Sequence, residues 1–376
     1  MAPLEPWQKV LIDADAFGET EHGEVACIDC HDGVDTPDKE KAHANMVARP
    51  SEGNAPVCAD CHEEQTATAA NSLHMTQEGY WTVLEARGAD RDHPGMQEMF
   101  GNHCASCHTS CGDCHVSQPA SVGGGLLNGH VFTAKPPMTR TCTACHGSRV
   151  GNEYMGKNEG VLADVHFRQG RMTCIDCHVG EQMHGLSVDD PAQADAPHRY
   201  AGEETPSCES CHDRDDAGMD DVRQHRLHGD VLSCQVCHAT VYINCDSCHV
   251  ALSETGGTPF FTTDAAYFTF LIGINPLQSS DRPYAYVPLR HVPVDATSFS
   301  FYGEGLMPAF DSQPTWRYAT PHNIQRLTPQ TESCNNCHGN PDIFLTIDKV
   351  APEELEANQA VIVEEIPEAQ DEPEEP

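Results

Sequence analysis

The sequence predicts a mostly irregular chain with short α-helices and little β, ordered by a repeat more than by a hydrophobic core. Three observations predict it. Cys-x-x-Cys-His occurs ten times and consumes all 20 cysteines. Hydrophobic residues are 39% of the chain, and that figure counts the cysteines. Twenty-nine glycines and 26 prolines break the chain too often for long regular elements. With 376 residues shared among ten motifs, too little protein is left to surround each motif with regular structure.

The motifs run Cys27/Cys30/His31, Cys58/Cys61/His62, Cys104/Cys107/His108, Cys111/Cys114/His115 and Cys142/Cys145/His146. They continue as Cys174/Cys177/His178, Cys208/Cys211/His212, Cys234/Cys237/His238, Cys245/Cys248/His249 and Cys334/Cys337/His338. Structural zinc uses Cys-x-x-Cys pairs, but two pairs close one tetrahedral site and no histidine need follow. A disulfide framework needs no histidine at all. Covalent c-type haem needs all three residues at this spacing. Two thiols add across the two vinyl groups of one porphyrin, and the adjacent imidazole is the proximal ligand of the iron. Histidine is only 23 of 376 residues, so a histidine after every pair is not composition. The expected cofactor is haem c, ten copies, in a multihaem cytochrome c fold: short helices and coil around a stacked haem chain. Without haem such a chain has too little apolar surface to offset its ordering entropy.

Spacing points to close packing. His108 and Cys111 are three residues apart, so their attachment points are separated by about 10 Å at most. His238 and Cys245 make a second tight pair. Closely packed porphyrins are what electron conduction requires.

A second axial ligand must then be found for each iron. A bis-histidine iron is coordinatively closed, has a low potential and passes electrons without binding substrate. Thirteen histidines lie outside the motifs. His43, His74, His130, His166, His184, His228, His291 and His322 are expected as distal ligands, because each lies in a stretch with room to fold back. About two more are expected from His22, His93, His103, His198 and His225. Met75 and Met183 adjoin histidines and are read as packing residues.

The formal net charge is −37, before any haem propionates. Such acidity argues against nucleic acid and anionic membranes, and either steers the protein to basic redox partners or simply keeps it soluble. No stretch is long and apolar enough for a transmembrane helix: AYFTFLIGI, residues 266–274, is too short. Haem is attached to cytochromes c outside the cytoplasm, so a periplasmic, cell-surface or extracellular location is expected. The first residues have no apolar signal core, so the numbering is expected to begin after a signal or at a truncated start.

Residues 1–250 carry nine motifs and read as the haem-rich body. Residues 251–322 hold no cysteine but more than half of the aromatics, where an apolar core or a subunit interface would be built. Residues 323–350 contain the tenth motif. Residues 351–376 are acidic and read as a disordered tail, whose AVIV stretch could pair with a neighbour's edge strand.

The run CASCHTSCGDCH…GGGLLNGHVF…CTACHGSRVGNEYMG…DVHFRQGRMTCIDCH…MHG resembles the octahaem tetrathionate reductase-like group of multihaem cytochromes, over about residues 100–185. PLRHVPV and WRYATPHNIQR…CNNCHG resemble the C-terminal parts of related multihaem cytochromes. The chain departs from that group in having ten motifs. The resemblance implies a catalytic haem with a lysine amine ligand, and Lys135 and Lys157 are the lysines in the matching stretch.

Two further stretches compete for ligands. DRDDAGMDD, Asp213 to Asp221, has the glycine of a calcium loop at the right offset but Ala217 where a ligand should be, so a solvated acidic loop competes with a Ca2+ site. SVGGG, residues 121–125, reads as a turn, since no P-loop lysine follows. The expected function is therefore electron transfer through ten haems, as an extracytoplasmic conduit between redox partner proteins or to extracellular acceptors, as a homo-oligomer or filament. The alternative is a reductase of tetrathionate, nitrite or a hydroxylamine-like compound, with one open or lysine-ligated haem.

Overall fold

The computed structural model describes residues 4–53, 56–107, 109–185, 206–212, 221–240, 242–246, 248–279 and 282–370. They form short helical turns, seven short strands in small antiparallel sheets, and much coil. Pro94–His103, ten residues, is the longest helix among them. The candidate calcium loop up to its last residue, His198 and His108 lie outside the described residues.

The chain divides into two units. One comprises Met1–Thr82, Cys104–Gly147 and Thr173–Thr205; the other comprises Val83–His103, Ser148–Met172 and Pro206–Pro376. Six motifs fall in the first unit and four in the second. The expected haem-rich body over residues 1–250 is thus divided between both units.

The first unit is helical turns and coil. Among its described residues the buried apolar side chains are Trp81 and Met138. That is far too little apolar surface to offset the ordering of six motif regions, so the polypeptide alone does not account for its order. The glycines of SVGGG form the expected turn: Gly123, Gly124 and Gly125 all have positive φ. A Cβ at Gly125 would also strike Lys9, so glycine is required twice over.

The second unit has a protein core. Strands β5 (Leu271–Ile274), β6 (Tyr286–His291) and β7 (Trp316–Tyr318) form an antiparallel sheet with β6 in the centre, and Leu289 lies opposite both Leu271 and Tyr318. Val287, Leu289, Trp316, Leu345, Val350, Val361 and Ile362 pack into one cluster against it. Gly273 lets β5 approach this cluster, because a Cβ there would collide with Leu289 and the Val361 carbonyl. Val236, Ile272, Phe344 and Val363 form the adjoining cluster.

Residues 351–370 do not behave as the expected disordered tail. Val361, Ile362 and Val363 are buried, and the Val363 amide donates to the Leu345 carbonyl at 2.8 Å. The AVIV stretch finds its apolar partners within its own chain, and that burial outweighs the acidic residues around it, which stay at the surface. The aromatic-rich stretch is mixed. Phe299 and Trp316 are buried, whereas Phe260, Phe261 and Phe268 are about half exposed. These three lie on two-stranded ribbons: β1 (Ile243–Asp246) with β4 (Ala265–Phe268), and β2 (His249–Leu252) with β3 (Pro259–Thr262).

Candidate cofactor sites

The local form of the motifs follows from their spacing. On one helical turn, residues i, i+3 and i+4 share a face, so two cysteines and the histidine point the same way. Cys27–His31, Cys111–His115, Cys142–His146 and Cys234–His238 are single α-helical turns. The motifs at Cys104, Cys174, Cys208 and Cys334 hold 3-10 turns, and Cys58 lies on the turn Pro56–Ala59. Serine or threonine before the first cysteine starts several of them: Ser110 and Thr173 form capping boxes with Asp113 and Asp176, and Ser207 and Ser333 accept backbone N–H groups. The ninth motif is different. Cys245 is on β1 and His249 on β2. Two ribbons, rather than a helical turn, bring it together.

Among the described residues, no group of three or more histidine, cysteine, aspartate or glutamate side chains converges as a metal-ion site. The histidines meet in twos. In the first unit His62 faces His22 with ring centroids 6.1 Å apart, His31 faces His130 at 5.8 Å, His146 faces His74 at 6.2 Å and His115 faces His184 at 6.0 Å. In the second, His212 faces His166 at 5.9 Å, His238 faces His225 at 6.0 Å and His338 faces His228 at 6.0 Å. Each of the seven pairs joins one motif histidine to one histidine from outside the motifs. An iron–imidazole bond is about 2 Å and a ring centre lies about an ångström behind its nitrogen, so two rings bonded to one iron sit about 6 Å apart. The residues present therefore fit a bis-histidine iron between each pair.

Hydrogen bonds set the ring nitrogens. A carbonyl only accepts, so a histidine bonded to one through Nδ1 carries its proton there and keeps a lone pair on Nε2. His31 donates to Val47, His115 to Thr133, His238 to Gln325 and His338 to Glu368, at 2.7–3.1 Å. On the distal side, His228 donates to the Gln224 carbonyl at 3.1 Å and His166 Nδ1 is 3.0 Å from the Asp164 carboxylate. Burial also keeps these rings neutral, the form that binds iron. Burial, with His146 and His178 nearby, pushes the His74 pKa down to about 4. Burial lowers His146, His184 and His238 as well.

The structure thus pairs His74, His130, His166, His184 and His228 of the eight expected distal ligands, and His22 and His225 of the further five. His43 and His322 hold the same tautomer, donating from Nδ1 to the Lys39 and Thr320 carbonyls at 2.7 Å. His291 is placed otherwise: it stacks on Trp316, its Nε2 lies 3.1 Å from Glu354 and its Nδ1 3.3 Å from the Tyr267 hydroxyl. Both nitrogens are engaged, so this ring is not presented to a motif histidine here. His93 accepts the Gly95 amide through Nδ1, which puts its proton on Nε2, and His103 Nε2 meets the Tyr302 hydroxyl at 2.8 Å. His178 bonds Gln182 at 3.2 Å, and His249 Nδ1 lies 3.7 Å from Asp264. Lys135 and Lys157 are both exposed.

The cysteines are unbridged. Burial pushes the thiols of Cys104 and Cys237 up to about 11 and that of Cys114 up to about 12. As bare thiols they would be protonated and poor nucleophiles. Cysteines of different motifs touch: Cys58 hydrogen-bonds Cys111, Cys142 bonds Cys174, and Cys208 bonds Cys234. Sequence reasoning found the cysteines and their histidines but had no signal for these contacts, which join residues up to 53 positions apart.

Not every expected thioether anchor is enclosed by protein. Cys61, Cys177 and Cys211, each the second cysteine of its motif, are exposed, as are the first cysteines Cys27, Cys208 and Cys334. At the three second cysteines the helical spacing is not carried through. The turn Pro56–Ala59 ends before Cys61, and Cys177 and Cys211 stand just past the 3-10 turns Cys174–Asp176 and Cys208–Ser210, with φ of −113° and −123°. Backbone that leaves helical geometry there no longer holds the second thiol on the face of the first. The one-face arrangement expected from the spacing is therefore corrected at these motifs. The protein fold gives Cys61, Cys177 and Cys211 no enclosed setting, and their role as anchors rests on the motif alone.

No family model, no curated protein and no solved structure matches the chain. The resemblance to the octahaem group rests on the quoted motifs alone. Among the described residues no helix is long and apolar enough to cross a membrane.

Proposed function

We propose that this chain is a decahaem c-type cytochrome that carries electrons outside the cytoplasm, between redox partner proteins or to an extracellular acceptor. The observation that carries this reading is the set of seven imidazole pairs, each joining a motif histidine to another histidine at 5.8–6.2 Å. Nothing else in the chemistry of Cys-x-x-Cys-His asks for an imidazole opposite the motif histidine at that separation. When bound, haem supplies one reversible electron per iron. The chain's own residues supply the thioether anchors, two neutral axial imidazoles at each paired site, and the carbonyls that orient them. The poverty of apolar side chains in the first unit supports the same reading, since porphyrins would provide the missing core.

The test is intact mass together with alkylation. Ten haems above the polypeptide mass and no free thiol are expected. The exposed Cys61, Cys177 and Cys211 are the first places to look for an alkylated thiol. Eight haems or fewer, or thiols that alkylate, would overturn the decahaem reading. A ferric spectrum dominated by low-spin iron, unperturbed by cyanide or nitrite at neutral pH, is expected of a conduit. Turnover of tetrathionate, nitrite or hydroxylamine with a reduced dye would instead make it a reductase.

A further inference from the structure

In the first unit, the order in which the attachment sites touch is not their order in the sequence. We propose that the fifth site, Cys142/Cys145/His146, is a junction. It contacts the third, fourth and sixth sites, and the path leaves it through the fourth site toward the second and first. This rests on the haem reading above.

Each link has its own contacts. The third site reaches the fifth twice. Cys107 hydrogen-bonds Cys145. The backbone carbonyl of His74, whose ring faces His146, accepts the Thr109 amide at 3.3 Å just past the third motif, while Gln77 Nε2 donates to the Cys104 carbonyl at 3.0 Å. The sixth site reaches it through the hydrogen bond between Cys174 and Cys142. The fourth reaches it through Cys114, which is close enough to Cys142 and Cys145 to feel both. From there Cys111 bonds Cys58 of the second site. Phe132 then joins the second and first sites: its ring centre lies 4.2 Å from that of His22 and 5.6 Å from that of His130, the imidazoles facing His62 and His31.

The consequence follows from how haem c is attached. Each cysteine is bonded to one edge of a porphyrin, so two touching cysteines from different sites bring two porphyrin edges together. Tunnelling falls steeply with edge-to-edge distance, so these contacts define the route. The third and fourth sites, separated by only Thr109 and Ser110, meet at the fifth instead of forming a wire in sequence order. An electron entering at the third or sixth site must cross the fifth to leave by the fourth. One altered ligand at the fifth site therefore interrupts three branches, whereas the same change at the second site interrupts the single path between the fourth and first.

The experiment uses the holoprotein, with wild-type mass and spectrum read first. His74→Gly should open the fifth iron to a high-spin ferric state, whose fast-relaxing spin shortens the relaxation of neighbouring low-spin irons. Pulsed EPR should show loss of the slow-relaxing component from three other centres. His22→Gly, opening the second site, should remove it from two. Equal losses in the two variants, or a single affected centre in His74→Gly, would overturn the junction. If His74→Gly does not accumulate, His74→Met keeps six-coordinate iron and raises that site's potential. The first electron then settles there, and the resulting diamagnetic iron should alter three ferric signals; one altered signal overturns the proposal. A wild-type protein without haem would refute the function reading instead, whereas full haem load with the wrong neighbour count refutes only the junction.

Discussion

His225 and His228 lie on one short helix, Arg223–His228, and face different motif histidines: His225 faces His238 and His228 faces His338, each at 6.0 Å. Residues three apart share a helix face, so one helical turn holds the distal ligands of the eighth and tenth sites side by side. The loop before the tenth motif closes on the same place. Gln330 Nε2 donates to the Val236 and Ala239 carbonyls at 3.2 and 2.7 Å, and Thr328 donates to the Cys237 carbonyl.

This arrangement predicts coupled ligand loss. His225→Ala and His228→Ala should each convert one low-spin iron to high-spin. Leu227→Pro, at an exposed position of that helix, removes a helical hydrogen bond and costs about 3 kcal/mol or more of helix stability. It should convert two irons at once while leaving haem mass unchanged. Magnetic circular dichroism would count them. Only one converted centre in Leu227→Pro would show that the two ligands are not carried by a common helix.

Glu153 predicts a pH dependence. Its side chain is fully buried, its carboxylate oxygens accept the Ile243 and His322 amides at 3.2 Å, and burial raises its pKa to about 7 against the partial counter-effect of those hydrogen bonds, Arg149 and Arg290. The folded state therefore holds a proton between about 4.5 and 7 that the unfolded state releases. The stability this contributes is fully present below 4.5 and lost as pH rises through 7. Glu153→Gln stays neutral throughout, so its denaturation midpoint should vary less with pH across that window and exceed wild type at pH 8 by roughly 2–3 kcal/mol. Parallel pH profiles for the two proteins would show that the carboxyl does not titrate there.

How much of this was legible in the sequence depends on range. The thioether cysteines and proximal histidines could be read because their chemistry is local, written within five residues. The short helices followed from the same spacing, except at the ninth motif, where pairing of Cys245 with Ala266 and of His249 with Thr262 puts the residues on strands. Turns that stop short of Cys61, Cys177 and Cys211 were not legible either, because spacing says nothing of where a turn ends. Which distal histidine meets which motif was also hidden. Cys58 meeting Cys111, or His130 meeting His31, is a long-range contact without periodicity to announce it. His291 looked like His322 in sequence, and only the fold places it between Trp316 and Glu354. The acidic end was misread because charge was weighed over the whole segment, while burial is decided by the three side chains Val361, Ile362 and Val363.

That misreading gives a test of its own. Truncation after Lys349 removes three buried aliphatic side chains, each stabilising by about 1.5–3 kcal/mol, from the clusters around Leu289 and Phe344. Thermal unfolding should show a marked loss for the truncated holoprotein. Deleting residues 371–376 alone is the control, and comparable behaviour of the two deletions would mean that the AVIV stretch contributes nothing.

The aromatic stretch separates into residues that hold the fold and residues that face outward, and mutation should separate them too. Phe299 is 8% exposed and stacks on Phe261 at 6.2 Å; truncating a buried phenylalanine costs about 3–5 kcal/mol. Phe260 and Phe268 are 46% and 48% exposed, on two-stranded ribbons whose outer edges offer unpaired backbone groups. Exposed aromatics beside open strand edges mark a surface suited to association. Phe299→Ala should therefore lower the unfolding temperature with little effect on association. The double variant Phe260→Ser/Phe268→Ser should keep its haem content and unfolding temperature, and sedimentation should show it remaining monomeric at concentrations where the wild type self-associates. If both proteins sediment alike at every concentration, the exposed phenylalanines do not serve self-association. If the double variant loses haem or unfolds, they belong to the core after all.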